Sequence, residues 1–277
     1  MKYFSASVGA LFVLAAFGFV ACQKSEPAAA PDSSAATPTT ATAPASPAPD
    51  TSGPLNTLTD AEKAAGWQLL FNGTNFDGWH TFHMEGPAPG WQITNGMLAC
   101  MDPRNSGDLV TSNQYSWFEL QLDYTIANGG NSGILYHVTG ESTMPTAPTW
   151  YSGPEFQLLD NVNGPDAEPR QMSGWLYGLY QPANDPKTGK PLDATKPAGQ
   201  WNHVRLLVTQ ERCEHDINGV EYFHYVLHSA DFNARVAKSK FAQMPPFAKS
   251  DVGLIALQGD HGAITFRNIK IRPIAAQ

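Results

Sequence analysis

From residue 67 onward the chain carries short runs in which apolar and polar side chains alternate, divided by turn residues. The runs at 67–71, 91–93, 97–100, 118–126, 133–138, 155–159, 201–209, 220–227, 252–258 and 263–271 read as β-strands. Between them stand Asn72-Gly73, Asn95-Gly96, Asn128-Gly129-Gly130 and Asn218-Gly219, pairs that tolerate the positive φ of tight turns. One helix signal precedes the first strand. Thr59-Asp60-Ala61-Glu62 is a capping box, and Gly66 ends the helix that it opens. No long helical period follows, so about ten strands predict a single all-β sandwich or jelly roll. The stretch from 161 to 200 is rich in Gly, Pro and Asp. A loop of that length is functional or disordered, and Trp175, Tyr177 and Tyr180 within it favour an ordered cover.

The run at 155–159, EFQLL, sets the functional question. Alternation sends Phe156 and Leu158 to one face and Glu155, Gln157 and Leu159 to the other. In a curved sandwich the first face meets the core and the second lies open to a ligand. By itself Glu155 reads first as a solvent-facing carboxylate, because exposed strand carboxylates are common. The run GGNSGILYH (129–137) joins a glycine turn to a strand with Asn131 and His137 on one parity; His137 titrates near neutral pH. At the end of 252–258, Gln258 shares a face with Leu254 and Ala256. Gly259-Asp260-His261-Gly262 follows, where Asp260 can orient His261 as an acid or base, or the four residues form only a polar turn. His215, Asp216, His224 and His228 read as hairpin decoration.

Composition narrows the class of partner. The 277 residues are 42% hydrophobic and 11% aromatic but only 15% charged, with a formal charge of −8 and no basic cluster. That excludes nucleic acid and electrostatic docking on anionic lipid, and suits a neutral partner such as sugar. Lys2, the apolar run 8–20 and the small residues before Cys22 form an export signal too short for a membrane span. Phe19-Val20-Ala21-Cys22 resembles a lipobox, so residues 1–22 predict a bacterial lipoprotein of the periplasm or outer membrane. The alternative is an ordinary cleaved signal with Cys22 incidental. Residues 23–56, almost wholly Ala, Pro, Ser and Thr, form a linker that spans about 30 Å as a coil, and 57–277 form the folded domain. Cys100 and Cys213 are either one disulfide or two buried thiols. There is no H-E-x-x-H, no paired-cysteine zinc signature, no G-x-S-x-G elbow and no phosphate loop.

Taken in order, LLFNGTNFDGW (69–79), WQITNGML (91–98), DLVTSNQYSWFELQLDY (108–124), GGNSGILYHV (129–138), PEFQLLDN (154–161), GLY (178–180), PAGQWNHVRLLV (197–208), ING (217–219) and GLIALQGDHGAITFRNIKI (253–271) resemble the 3-keto-disaccharide hydrolase domain family. The likeness runs from about Gly66 to Arg272, and APTWYSGPEF (147–156) reads as a remodelled rim. It implies a concanavalin A-like jelly-roll sandwich of two antiparallel sheets that acts on sugars oxidised to a ketone at C3. Such a ketone acidifies the C2 proton, so one base can start a β-elimination that expels the C1 substituent, and water can then add. The paired carboxylates of ordinary glycosidases are not required. The resemblance makes Glu155 the first candidate for base or metal ligand, with His137 and His261 for proton transfer. Asn131, Gln157, Asp160 and Gln258 would hold hydroxyls, and Trp175 and Tyr180 would form an aromatic wall. A non-catalytic lectin competes, because the same residue set binds sugar. A retaining glucanase ranks lower: E-x-D-x-x-E is absent, and Asp160 has the opposite parity to Glu155. No cofactor is required. A Ca or Mg ion could polarise the ketone or sit in the acidic loop 160–166, but no defined metal site is expected.

Overall fold

The computed structural model describes residues 53–165 and 171–275. The export signal, Cys22 and the linker up to residue 52 lie outside the described residues. In chain order the elements are α1 (Asp60–Ala64), β1 (Gln68–Leu69), β2 (Trp79–Thr81), β3 (Trp91–Thr94), β4 (Met97–Cys100), β5 (Leu109–Thr111), β6 (Phe118–Ile126), β7 (Asn131–Val138), β8 (Glu155–Leu159), β9 (Asn202–Val208), β10 (Cys213–Ile217), β11 (Val220–Tyr225), α2 (Ala230–Ala237), β12 (Leu254–Leu257) and β13 (Ile264–Pro273). The capping box closes α1 as its sequence requires, with both reciprocal bonds between Thr59 and Glu62 in place. Gly66 takes φ +87° just beyond it.

The strands form two antiparallel sheets, the expected concanavalin A-like jelly-roll sandwich. The larger has the order β11-β10-β9-β6-β13-β4-β3, with β1 beside the second half of β13. The smaller has the order β2-β5-β12-β7-β8. Leu120, Leu122 and Tyr124 of β6 and Val204, Leu206 and Val208 of β9 face Ile134 and Tyr136 of β7, Phe156 and Leu158 of β8, and Ile255 and Leu257 of β12. Each such large side chain stabilises the fold by about 1.5–3 kcal/mol on burial. Phe156 also stacks on His215, ring centroids 4.4 Å apart. Burial drives the pKa of that imidazole down to about 3, so it packs as a neutral ring.

The alternation missed three strands and one helix. β2 and β5 are three residues long, too short to show a period. β10, CEHDI, reads as polar because Glu214 and Asp216 pair with Arg205 across the outer face, at 2.7 and 2.6 Å. The expected decoration His215 and Asp216 therefore lies inside a strand. α2 buries only Phe232. Asn56, the last residue of the expected linker, is buried and exchanges backbone–side-chain hydrogen bonds with Asn268, at 2.8 and 2.9 Å. Cys100 and Cys213 are free, buried thiols, with Cys100 Sγ donating to the Gly259 carbonyl at 2.9 Å.

Candidate active site

The outer face of the smaller sheet divides into an apolar half and a polar half. Leu135 and Val138 of β7, Val110 of β5, and Leu254 and Ala256 of β12 join Phe82 and Trp150 in a second apolar cluster. Next to it Glu155 and Gln157 of β8, Asn131 of β7 and Gln258 after β12 open into a cavity of about 200 Å³. That is the share of roughly six or seven liquid waters, room for one sugar ring. Trp150, Gly153, Tyr177, Lys240, Phe241 and His261 complete its lining.

Glu155 occupies this place because Gly133 stands opposite. A Cβ at Gly133 would lie 2.4 Å from Glu155 Oε1 and 2.8 Å from its Cγ, so only glycine lets the carboxyl lie across β7. Glu155 is buried, 9% exposed as a residue, and its carboxyl accepts no hydrogen bond among the described residues. Burial, reinforced by the charge of Asp108, pushes its pKa up to about 8. Asn131 Oδ1 is a second buried acceptor without a partner among the described residues. A buried carboxyl and a buried amide oxygen that face one cavity are groups whose hydrogen bonds ligand hydroxyls can make.

Loops far apart in sequence deliver the rest. Residues 174–177 pair with the open edge of β8. Gly174 N–H donates to Gln157 O at 2.8 Å, Gln157 N–H to Trp175 O at 3.0 Å, and Tyr177 N–H to Glu155 O at 3.0 Å. This seals an exposed edge and sets Tyr177 beside Glu155. Lys240, just beyond α2, holds its ammonium 4.3 Å from the Tyr177 ring centre and 5.8 Å from that of Trp150. Asp108, immediately before β5, ties two further loops: it accepts from Thr149 Oγ1, next to Trp150, and from Gly259 N–H at 3.2 Å, two residues before His261. Burial raises its own pKa to about 6. The hydrogen bond from His261 Nδ1 to Asp260 lifts the imidazole's pKa above its ordinary value, aided by the charges of Asp108 and Glu155.

Of the nine candidates from sequence, the cavity thus brings together Glu155, His261, Asn131, Gln157 and Gln258. The other four lie elsewhere. His137 is the extra residue of a bulge in β7, at φ +52°, where three steps of β7 oppose two of β12. The bulge breaks the parity with Asn131. It buries the ring against Trp117, Phe118 and Tyr136, with Nε2 2.6 Å from the Ser116 carbonyl, and burial lowers its pKa. Asp160 fastens the turn before β7 to the turn after β8: Gly129 N–H, Val162 N–H and Asn163 Nδ2 donate to it. These bonds outweigh burial and lower its pKa. Its carboxylate is thereby occupied, and Asp166 of the same loop lies outside the described residues. Trp175 is a core residue. Tyr180 donates to Asp231 at 2.6 Å and carries Arg235 over its ring; both aromatics border a separate cavity. Among the described residues no group of three or more His, Cys, Asp or Glu side chains is placed to hold a metal ion.

Sequence reasoning missed Asp108, Trp150, Tyr177, Lys240 and Phe241 as site residues. The signals available were the aromatic content of the long loop and the rim at 147–156.

Comparison with known proteins agrees with this architecture. A sequence model described as the 3-keto-alpha-glucoside-1,2-lyase-like domain matches residues 66–272. A 3-keto-disaccharide hydrolase of Bacteroides thetaiotaomicron is 29% identical over 237 residues, 76% of this chain and 79% of the relative. A crystal structure of a candidate glycosyl hydrolase from Parabacteroides distasonis superposes with a TM-score of 0.72 at 32% identity, covering 80% of this chain and all of that one. A second from the same organism gives 0.57 at 25% identity, covering 75% and 99%. The matched region takes in every strand of both sheets, from β1 to the penultimate residue of β13, and the chain belongs to the 3-keto-disaccharide hydrolase family.

Proposed function

We propose that the cavity cleaves the glycosidic bond of 3-keto-glycosides by elimination followed by hydration. The observation that carries the proposal is Glu155: a buried carboxyl without a hydrogen-bond partner among the described residues, at the base of a cavity the size of one sugar ring, with its pKa near 8. A carboxylate held at that value is a stronger base than an exposed one and suits a proton that only an adjacent ketone acidifies.

The Glu155 carboxylate takes the C2 proton. The C–H electron pair becomes the π bond of an enolate, and negative charge moves to the C3 oxygen. Lys240, the lysine on the cavity wall, supplies positive charge toward that oxygen. The enolate then collapses, the C1–O bond breaks, and the leaving oxygen takes the bonding pair and a proton from His261. The product is an unsaturated ketone with a C1–C2 double bond. Water then adds: its hydroxyl bonds to C1, the proton it loses passes to the now neutral His261, and Glu155 returns a proton to C2, which yields the 3-keto sugar and restores both groups. Asn131, Gln157 and Gln258 hold ring hydroxyls, and Tyr177 and Trp150 offer ring faces to the sugar.

The test incubates the purified protein with a 3-keto-glucoside and with its unoxidised parent, following release of the C1 substituent and exchange of the C2 proton with deuterated solvent. The expected result is release and exchange from the keto sugar alone, both lost in Glu155→Gln. Binding of either sugar without release would replace this proposal with a lectin.

A further inference from the structure

The cavity at Glu155 is the first of three in a row. It shares Tyr177, Lys240 and Phe241 with a second of about 420 Å³. That one shares Gly178, Leu179 and Arg235 with a third of about 370 Å³. The first has room for one sugar ring, so whatever leaves from C1 must extend along this groove or into solvent. The groove has a distinct chemistry. Arg235, Lys238 and Lys240 line the second cavity and no Asp or Glu does, among the described residues, in a chain whose formal charge is −8. Arg235 is held 4.2 Å over the Tyr180 ring by its bonds to Asp231 and to the Leu179 carbonyl, at 2.9 and 3.1 Å. Its Nη2 makes no hydrogen bond among the described residues, and the Lys238 ammonium makes neither an ion pair nor a hydrogen bond among them. Three positions apart at the C-terminal end of α2, where Lys238 is the capping residue, the two cations lie on one side of the helix. A net-negative protein repels anions in general, so a local run of cations beside ring faces is the feature that would admit one.

We propose that this groove is the leaving-group subsite and that it takes an anionic aglycone, a carboxylate on a ring-shaped body that packs on Tyr177 and Phe241 while Arg235 and Lys238 meet the charge. The assignment rests on the 3-keto-glycoside reading above. The experiment compares the 3-keto-glucosides of benzyl alcohol and of 4-(carboxymethyl)benzyl alcohol, whose leaving oxygens are of similar acidity. The expected ratio of kcat/KM, acid over neutral, is about tenfold at low salt, the scale of two or three partly solvated charge contacts. It shrinks with added salt and falls to about twofold or less in Lys238→Glu. Because the readout is a ratio within one protein, a general loss of folded enzyme does not mimic the effect. A ratio near one, or a preference that Lys238→Glu leaves intact, overturns the subsite while leaving the cleavage reaction standing. If neither keto-glycoside is cleaved, the reaction proposal fails separately, and calorimetry with the two unoxidised glucosides decides the subsite. Tighter binding of the acid that Lys238→Glu removes supports it, and equal affinity overturns it.

Discussion

Glu155→Gln is expected to stabilise the fold at alkaline pH while it removes activity. In the unfolded chain the Glu155 carboxyl titrates near 4.5, and in the folded protein near 8. Between those values the folded state keeps a proton that the unfolded state has lost. Each pH unit therefore lowers stability by about 1.36 kcal/mol. The loss starts as pH passes 4.5, grows to pH 8 and is constant above it. The interval from 4.5 to 8 is 3.5 units, about 5 kcal/mol. This is a ceiling, because Glu155 is 9% exposed and a wet cavity returns part of the hydration of its carboxyl. Glutamine is neutral throughout and escapes the loss. The assay is urea unfolding of both proteins at about pH 5 and about pH 8.5, with m unchanged as evidence that the same transition is followed. Groups other than Glu155 cancel in the difference, except Asp108, Lys240, His261 and Asp260, whose charges act on it. Near pH 5 the two proteins should agree within about 1 kcal/mol; near pH 8.5 the variant should be more stable by several, or roughly 5–15 °C in Tm. A difference that does not depend on pH, or a variant less stable at alkaline pH, would refute the argument that Glu155 is a desolvated base.

The remaining predictions concern the reaction. Exchange of the C2 proton needs the base alone, so its rate should rise about tenfold from pH 7 to pH 9, as the ionised fraction of a group with pKa 8 goes from about 9% to about 91%; a half-rise near 4.5 contradicts the assignment. His261→Asn should lower release of poor leaving groups by about 10²- to 10⁴-fold yet leave C2 exchange largely intact, because its proton is used only after the enolate forms. Equal loss of both would reassign His261. Gly133→Ala brings a Cβ to 2.4 Å from Glu155 Oε1. It should displace the carboxyl and abolish exchange even where circular dichroism shows the fold retained, and normal exchange in a folded variant would show that the carboxyl acts from another position.

The legible parts of this protein are those where one physical cause acts locally. The capping box of α1 is a contact between residues three apart, and the polar face of β8 follows from alternation alone: Phe156 and Leu158 are in the core, and Glu155 and Gln157 line the cavity. What was illegible depended on partners elsewhere in the chain. His137 lost its parity to a bulge that exists only because β7 pairs with β12. Asp160 looked available until the turns before β7 and after β8 used its oxygens. β10 looked like a turn because its carboxylates meet Arg205 on a neighbouring strand. Lys240 sits on a short segment after a weakly amphipathic helix, and nothing in its local sequence places it beside Tyr177 and Glu155.

Asp108 shows why such a site can be built from distant pieces. Its carboxyl fastens the loop bearing Trp150 and the loop bearing His261 to the start of β5, and its charge is the largest influence on Glu155 after burial itself. One residue therefore both assembles the cavity wall and raises the affinity of the base for a proton. The two effects reinforce each other: drawing the loops closer excludes water, and excluding water strengthens the repulsion between the two carboxyls. Asp108 titrates near 6 and Glu155 near 8, so from neutrality to pH 8 Asp108 is mostly ionised while much of Glu155 still holds its proton. In that range the site has a permanent anion behind the reacting carboxyl, which keeps that carboxyl basic at the pH where the C2 proton must be taken.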